Sequence, residues 1–221
     1  MSRDDIQLGE PADPAVLAAE FPRLSSFGPS GWYRAHSDGH LGQADRGCWW
    51  FASVPPAGAP DGRFDLPHPE GTCYVANDVE AAVRERLGTT WGRHRFLPPV
   101  SLVGTAVSLV DPSLYVQPSD VADTDHKDAA GFVTREISGG APYSLTHRHA
   151  IAFKAGGFDG IAYCPRFTPG SARALALFGK AGRPTPERAA SEVPDWQSQL
   201  RSPVRSAVSR KRATVVTPPT V

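Results

Sequence analysis

Trp32-Tyr33-Arg34-Ala35-His36, then Gly62-Arg63-Phe64-Asp65, then Gly71-Thr72-Cys73-Tyr74-Val75-Ala76, then Glu85: these pieces of residues 32–87 decide the reading of the chain. An arginine sits among aromatics on a strand-like run. A Gly-Arg-Phe turn leads into a second strand, and a glutamate follows one helix later. Asn77 or Asp78 can cap that helix, because a short polar side chain satisfies a free backbone N–H at a helix start. On a helix beginning near Asp78, Val79, Ala82, Val83 and Leu87 share one face at the 3.6-residue period. Glu85 lies at the edge of that face, beside Ala81 and Ala82, whose small side chains leave space next to a carboxylate. Arg84 pairs with Glu80 at i,i+4 on the solvent side.

Working outward, residues 14–20 read as a short amphipathic helix with Pro14 in its first turn. Residues 31–35, 72–76, 101–110 and 160–163 read as strands bounded by Gly, Pro and Asp. Residues 146–155 read as a second main helix that ends at Gly156-Gly157. Residues 55–60 (Pro-Pro-Ala-Gly-Ala-Pro) and 117–130 read as loops. The second loop carries Asp120, Asp123, Asp125 and Asp128. It lacks the turn glycine and closing glutamate of a calcium loop, so a solvated acidic stretch is the better reading. Three units result: a peripheral segment 1–30, a domain 31–179 and a basic segment 180–221.

Composition narrows the function classes. The 221 residues carry 23 basic and 23 acidic side chains, so no polyanion-binding signature marks the whole chain. Cys48, Cys73 and Cys164 are far apart and make no CxxC pair, which argues for a reducing compartment and against a zinc site. No apolar run approaches the ~18 residues a membrane helix needs, nor is there a signal-peptide core. The expectation is a cytoplasmic protein with no metal and no membrane partner. Residues 180–212 hold eight basic side chains, ending in Arg210-Lys211-Arg212. Aromatics for base stacking are nearly absent there, so nucleic acid is not expected as a partner. A helix over 196–210 and a short strand over 213–217, packed on the domain or partly disordered, is the expectation.

The residues with chemical capacity each admit a structural role as well. Arg34 and Arg63 can fork onto a phosphate or pin a carboxylate. Glu85 can face a ligand or close an ion pair with Arg34 or Arg63. Ser144 or Thr146 suits a helix cap, and His147 and His149 read as surface histidines. Neither GxGxxG, GxxxxGK[ST] nor Gly-x-Ser-x-Gly occurs, which removes the Rossmann, P-loop and serine-hydrolase modes.

Taken in order, these residues resemble the RES family, whose Arg lies on an early strand and whose Glu rides the helix after a Tyr-x-Ala strand. Tyr143-Ser144-Leu145-Thr146, Gly157-Phe158-Asp159-Gly160-Ile161-Ala162-Tyr163 and Ala176-Leu177-Phe178 continue the likeness to residue 179. The resemblance implies an α+β fold like that of the ADP-ribosyltransferases, a split and mostly antiparallel β core with surrounding helices. It implies NAD as substrate, cleaved at the nicotinamide–ribose bond with inorganic phosphate or water as acceptor, and an antitoxin covering the cleft. It nominates Arg34, Glu85 and Ser144 as catalytic, and Tyr33, Arg63, Tyr74 and Arg166 as NAD-binding. ADP-ribosyl transfer to a macromolecule, or nucleotide or partner binding without catalysis, are the competing activities. One departure stands out. Where the family carries Tyr-x-Ser-Arg, this chain reads Tyr163-Cys164-Pro165-Arg166, and proline supplies neither a hydroxyl nor an N–H. Ser144 is the substitute hydroxyl that the sequence offers.

Overall fold

Ala174-Leu175-Ala176-Leu177-Phe178 is apolar without interruption, and the molecule is built around it. A run with no period-2 alternation suits a strand covered on both faces. In the computed structural model, which describes residues 8–38, 47–55, 61–88, 99–140, 142–168 and 170–201, all five of these residues are buried. They open strand β6 (Ala174–Lys180). The other strands are β1 (Trp32–Ser37), β2 (Glu70–Ala76), β3 (Thr105–Val110), β4 (Val121–Asp123), β5 (Gly160–Tyr163) and β7 (Ala190–Glu192). They form one sheet in the order β4-β5-β6-β2-β1-β3-β7, antiparallel except for the β4–β5 pair. The helices are α1 (Pro14–Glu20), α2 (Val79–Leu87) and α3 (Ser144–Ala155).

Helices α1 and α3 cover one face of the sheet. Phe21 meets Phe153 edge-on at 4.7 Å between ring centres, and Phe158 meets Phe153 at 5.6 Å. Edge-to-face rings add to the ~1.5–3 kcal/mol gained by burying each such side chain. The opposite face holds Trp49, Phe51, Val75, Leu175 and Leu177. Under α2 a third cluster joins Val79, Val83, Leu102 and Val107 to Trp196.

The feature that places the site is a fault in the ladder. Strand β2 pairs with β6 along its whole length, and β1 with β3 along its whole length. Between β1 and β2 only Tyr33 and Ala76 are in register. Beyond that pair the two strands separate, and α2 packs across the gap.

Several expectations change here. The strand expected over 101–110 begins at Thr105, because Pro99–Leu102 forms a 3₁₀ turn and Gly104 turns the chain at φ 75°. Residues 117–130 are not a solvated loop. They contain β4, and Asp123 is buried against Arg173, so the acidic run conceals an edge strand. Of the helix expected over 196–210, the described part holds a 3₁₀ turn, Trp196–Gln199, and residues 202–210 lie outside the described residues. Residues 56–60, Arg205, Arg210–Arg212 and the strand expected at 213–217 lie outside the described residues. Residues 190–201 add β7 to the sheet and Trp196 to the core.

Candidate functional site

Where β1 and β2 part, a cavity of about 700 Å³ opens between the sheet and α2. Its walls are small by sequence: Ala35, Ala52, Ala76, Ala82 and Ala174 line it, leaving room that larger side chains would fill. Ala82 is the alanine beside Glu85 that faces the space, whereas Ala81 is sealed in the core.

Arg34, Arg63, Tyr74 and Glu85 are all brought to this cavity from four separate stretches of chain. Glu85 stands at 3.6 Å from Arg63 Nη1 through one oxygen and accepts the Phe167 N–H at 3.2 Å through the other. Arg63 is buried. Its Nε donates to the Gly139 carbonyl at 2.9 Å, and its guanidinium lies 5.4 Å from the Tyr163 ring centre and 5.9 Å from that of Tyr143. Aromatic faces favour a cation at such distances. Arg63 Nη1 has no hydrogen-bond partner, so a buried donor points toward Glu85 and the cavity with capacity to spare.

Arg34 is more committed than its sequence setting suggests. Nη1 donates to Cys73 Sγ at 2.9 Å and to the Tyr74 carbonyl at 3.1 Å, and Nη2 donates to the Trp50 carbonyl at 2.9 Å. A side chain thus makes the link between β1 and β2 that the backbone ladder omits. Of its donors, Nε is buried without a partner. The free two-pronged grip on a phosphate is therefore reduced, since most N–H directions serve the fold.

Tyr74 is fixed by its hydroxyl, which accepts the Phe64 N–H and donates to Asp65 Oδ1, both at 2.8 Å. Asp65 Oδ2 in turn accepts the Gly62 N–H at 2.7 Å. Gly62 is required at this turn, since a Cβ there would come within 2.6 Å of the Tyr74 hydroxyl. Burial pushes the Asp65 carboxyl above its ordinary range, against the lowering pull of its hydrogen bonds to Gly62 and Tyr74. Burial also raises Tyr74 and Tyr163, so both phenols stay protonated.

Tyr33, Ser144 and Arg166 do not line the cavity. Tyr33 packs between two hydrophobic clusters. Ser144 opens α3 exposed and makes no cap bond; Tyr143 is the N-cap residue. Arg166 is exposed beside the ring of Phe167. Pro165 is buried, and the nearby hydroxyl of Thr146 is spent on the Arg63 carbonyl at 2.6 Å.

Other side chains differ from their sequence reading or were missed by it. His149 is buried and bonds the Gly9 carbonyl, and burial lowers its pKa; His147 is held at the Gly62 carbonyl at 2.8 Å. Neither is a surface histidine, because one side of α3 lays His147 on the turn at Gly62 and another side lays His149 on the N-terminal segment. The Glu80–Arg84 pair forms at 2.6 Å, but Glu80 is buried rather than on the solvent side. Arg86, Tyr143, Tyr163 and Phe167 line the cavity without having been singled out as ligand residues. Only their convergence in space marks them. Among the described residues no group of three or more His, Cys, Asp or Glu side chains could hold a metal ion, and no helix is long and apolar enough to cross a membrane.

No curated protein matches the chain. Among solved structures, a chain of the M. tuberculosis MbcT-MbcA toxin-antitoxin complex superposes with a TM-score of 0.53 at 13% identity, over 85% of this chain and 97% of that one. At that identity the likeness shows a shared fold. The model of the RES domain matches residues 32–201, the span that carries β1, the cavity and the segment closing over α2, and the chain therefore belongs to the RES family.

Proposed function

We propose that this protein consumes NAD by breaking its nicotinamide–ribose bond, with phosphate or water as acceptor. The observation that carries the reading is Glu85. It is a largely buried carboxylate on the wall of a cavity sized for a small molecule, held between Arg63 and the Phe167 N–H. Cleavage leaves the bonding electrons on nicotinamide and positive charge on the ribose, and the acceptor oxygen then bonds to the same ribose carbon. A fixed carboxylate lowers the energy of that charge, as in glycoside hydrolysis. Glu85 takes this role. Arg34, Arg63 and Arg86 supply positive charge for the diphosphate, and Tyr74 an aromatic face for the nicotinamide.

A partner that covers the cavity belongs to the same proposal. The chain shares its fold with a chain of a structure described as a toxin-antitoxin complex, and an antitoxin lying over the cavity would block NAD entry. One observation favours a second reading, a domain that binds nucleotide without turning it over. Pro165 is buried where the family pattern has its serine, and Ser144 does not reach the cavity.

The test is nicotinamide release from NAD by the purified protein, with and without phosphate, beside Glu85→Gln. Release by the wild type that falls about 10²–10³-fold in the variant is the expected result. Retained release in Glu85→Gln refutes the role of Glu85. NAD binding with no release by the wild type selects the non-catalytic reading.

A further inference from the structure

Glu85 meets the cavity, but much of what holds it lies on the far side of α2. The i,i+4 spacing puts Glu80 one turn before Arg84. Arg84 closes on Glu80 Oε1 with both Nε (2.8 Å) and Nη2 (2.6 Å). The other oxygen of Glu80 accepts the Arg201 backbone N–H at 2.6 Å and its Nε at 3.3 Å. Arg84 then uses Nη1 on the Phe167 carbonyl at 2.8 Å. The N–H of the same residue is the donor that Glu85 accepts. Phe167 is thus gripped on both sides by consecutive residues of α2, and its ring lines the cavity.

We infer that Glu80 and Arg84, backed by Arg201, are positioning residues that set the Glu85 carboxylate and the Phe167 wall. Neither lines the cavity. Their effect passes through one backbone residue, whose carbonyl is fixed by Arg84 and whose N–H fixes Glu85 Oε1. Were the pair only glue between α2 and the C-terminal segment, one shared carboxylate and a side-on fork would suffice. The third donor of Arg84, directed at Phe167, is what ties the pair to the site. Small displacements of a reacting group are costly, because rate depends steeply on its aim. The inference rests on the reading of Glu85 as the group that meets the substrate.

The experiment uses the full chain with Glu80→Gln, Arg84→Met, Glu85→Gln and the Arg84→Met/Glu85→Gln double variant. Methionine keeps the stem of Arg84 and removes its donors; if it fails to fold, Glu80→Gln carries the same comparison. Nicotinamide release should show kcat reduced about two- to thirtyfold in Arg84→Met and Glu80→Gln, with KM little changed. In the Glu85→Gln background Arg84→Met should cause no further loss, since its effect runs through Glu85. Losses that simply add overturn the inference. Amide exchange of Phe167 is the second readout and needs no activity. It should quicken at least tenfold in Arg84→Met while the β6 amides keep their protection. Unchanged exchange overturns the relay. If the wild type releases no nicotinamide, the proposed NAD cleavage fails, and the Phe167 amide still decides whether this pair sets the residue that holds Glu85.

Discussion

At the scale of the residue, Asp65 shows what the cavity's architecture costs. Its carboxyl is buried, accepts the Tyr74 hydroxyl and the Gly62 N–H, and still titrates above its ordinary value of 3.8 because desolvation outweighs those bonds. With a folded-state pKa above the unfolded one, its stabilising contribution is full below about pH 3.8 and is lost as pH rises through the raised value. Asparagine cannot titrate. The stability difference between wild type and Asp65→Asn, read from urea midpoints, should therefore move in the variant's favour as pH is raised from 3.8 toward neutrality. A difference that stays constant across that range would contradict the assignment. Asp65 stood in the sequence as the last residue of a turn motif, with nothing to show that it anchors Tyr74. Its partner lies nine residues away on a strand whose register only the fold reveals. Arg34 and Glu85 could be nominated from sequence because their residue types and order form a pattern. The sharing of Arg34 among three acceptors could not, since two of those acceptors are backbone carbonyls, which every residue has.

At the scale of the element, α2 was the most legible part of the chain. Of the two caps the sequence offered, Asn77 and Asp78, it is Asp78 that takes the role, accepting the Ala81 N–H at 2.9 Å. Asp78→Ala should lower unfolding stability by about 0.5–2 kcal/mol, while Asp78→Asn should cost far less, as urea denaturation will show. The Arg201 contact to the same oxygen adds little, because the arginine is largely exposed. The burial of Glu80 was hidden for a different reason. An i,i+4 acid–base pair is ordinarily a solvent-face signature, and here the segment 193–201 arrives from more than a hundred residues away to cover it. Strands β4 and β7 were missed for want of any pattern. The first is three residues inside an acidic run, and the second is three exposed residues, Ala-Ser-Glu. Strand β6 is apolar throughout its first five residues, and an unbroken apolar run has no strand period to announce it.

At the scale of the whole molecule, the α+β class and the split sheet were anticipated, while the placing of the C-terminal segment had to come from packing. Trp196 supplies that packing, buried against Val79, Val83, Leu102 and Val107. Trp196→Ala should cost about 3–5 kcal/mol in chemical denaturation, the range for removing a large buried aromatic. A loss below about 1 kcal/mol would mean that the segment is not part of the core. The fault between β1 and β2 carries a last consequence. Arg34 is at once a wall of the cavity and the clasp across a broken ladder, whereas Glu85 contributes one 3.6 Å ion pair and one 3.2 Å bond. The two residues are therefore unequal under mutation and inheritance. Replacing Glu85 leaves the strand ladder untouched, at the cost of the carboxylate that faces the buried Arg63. A change at Arg34 puts architecture and chemistry at risk together, so silent, well-folded descendants should differ at the glutamate long before they differ at the arginine.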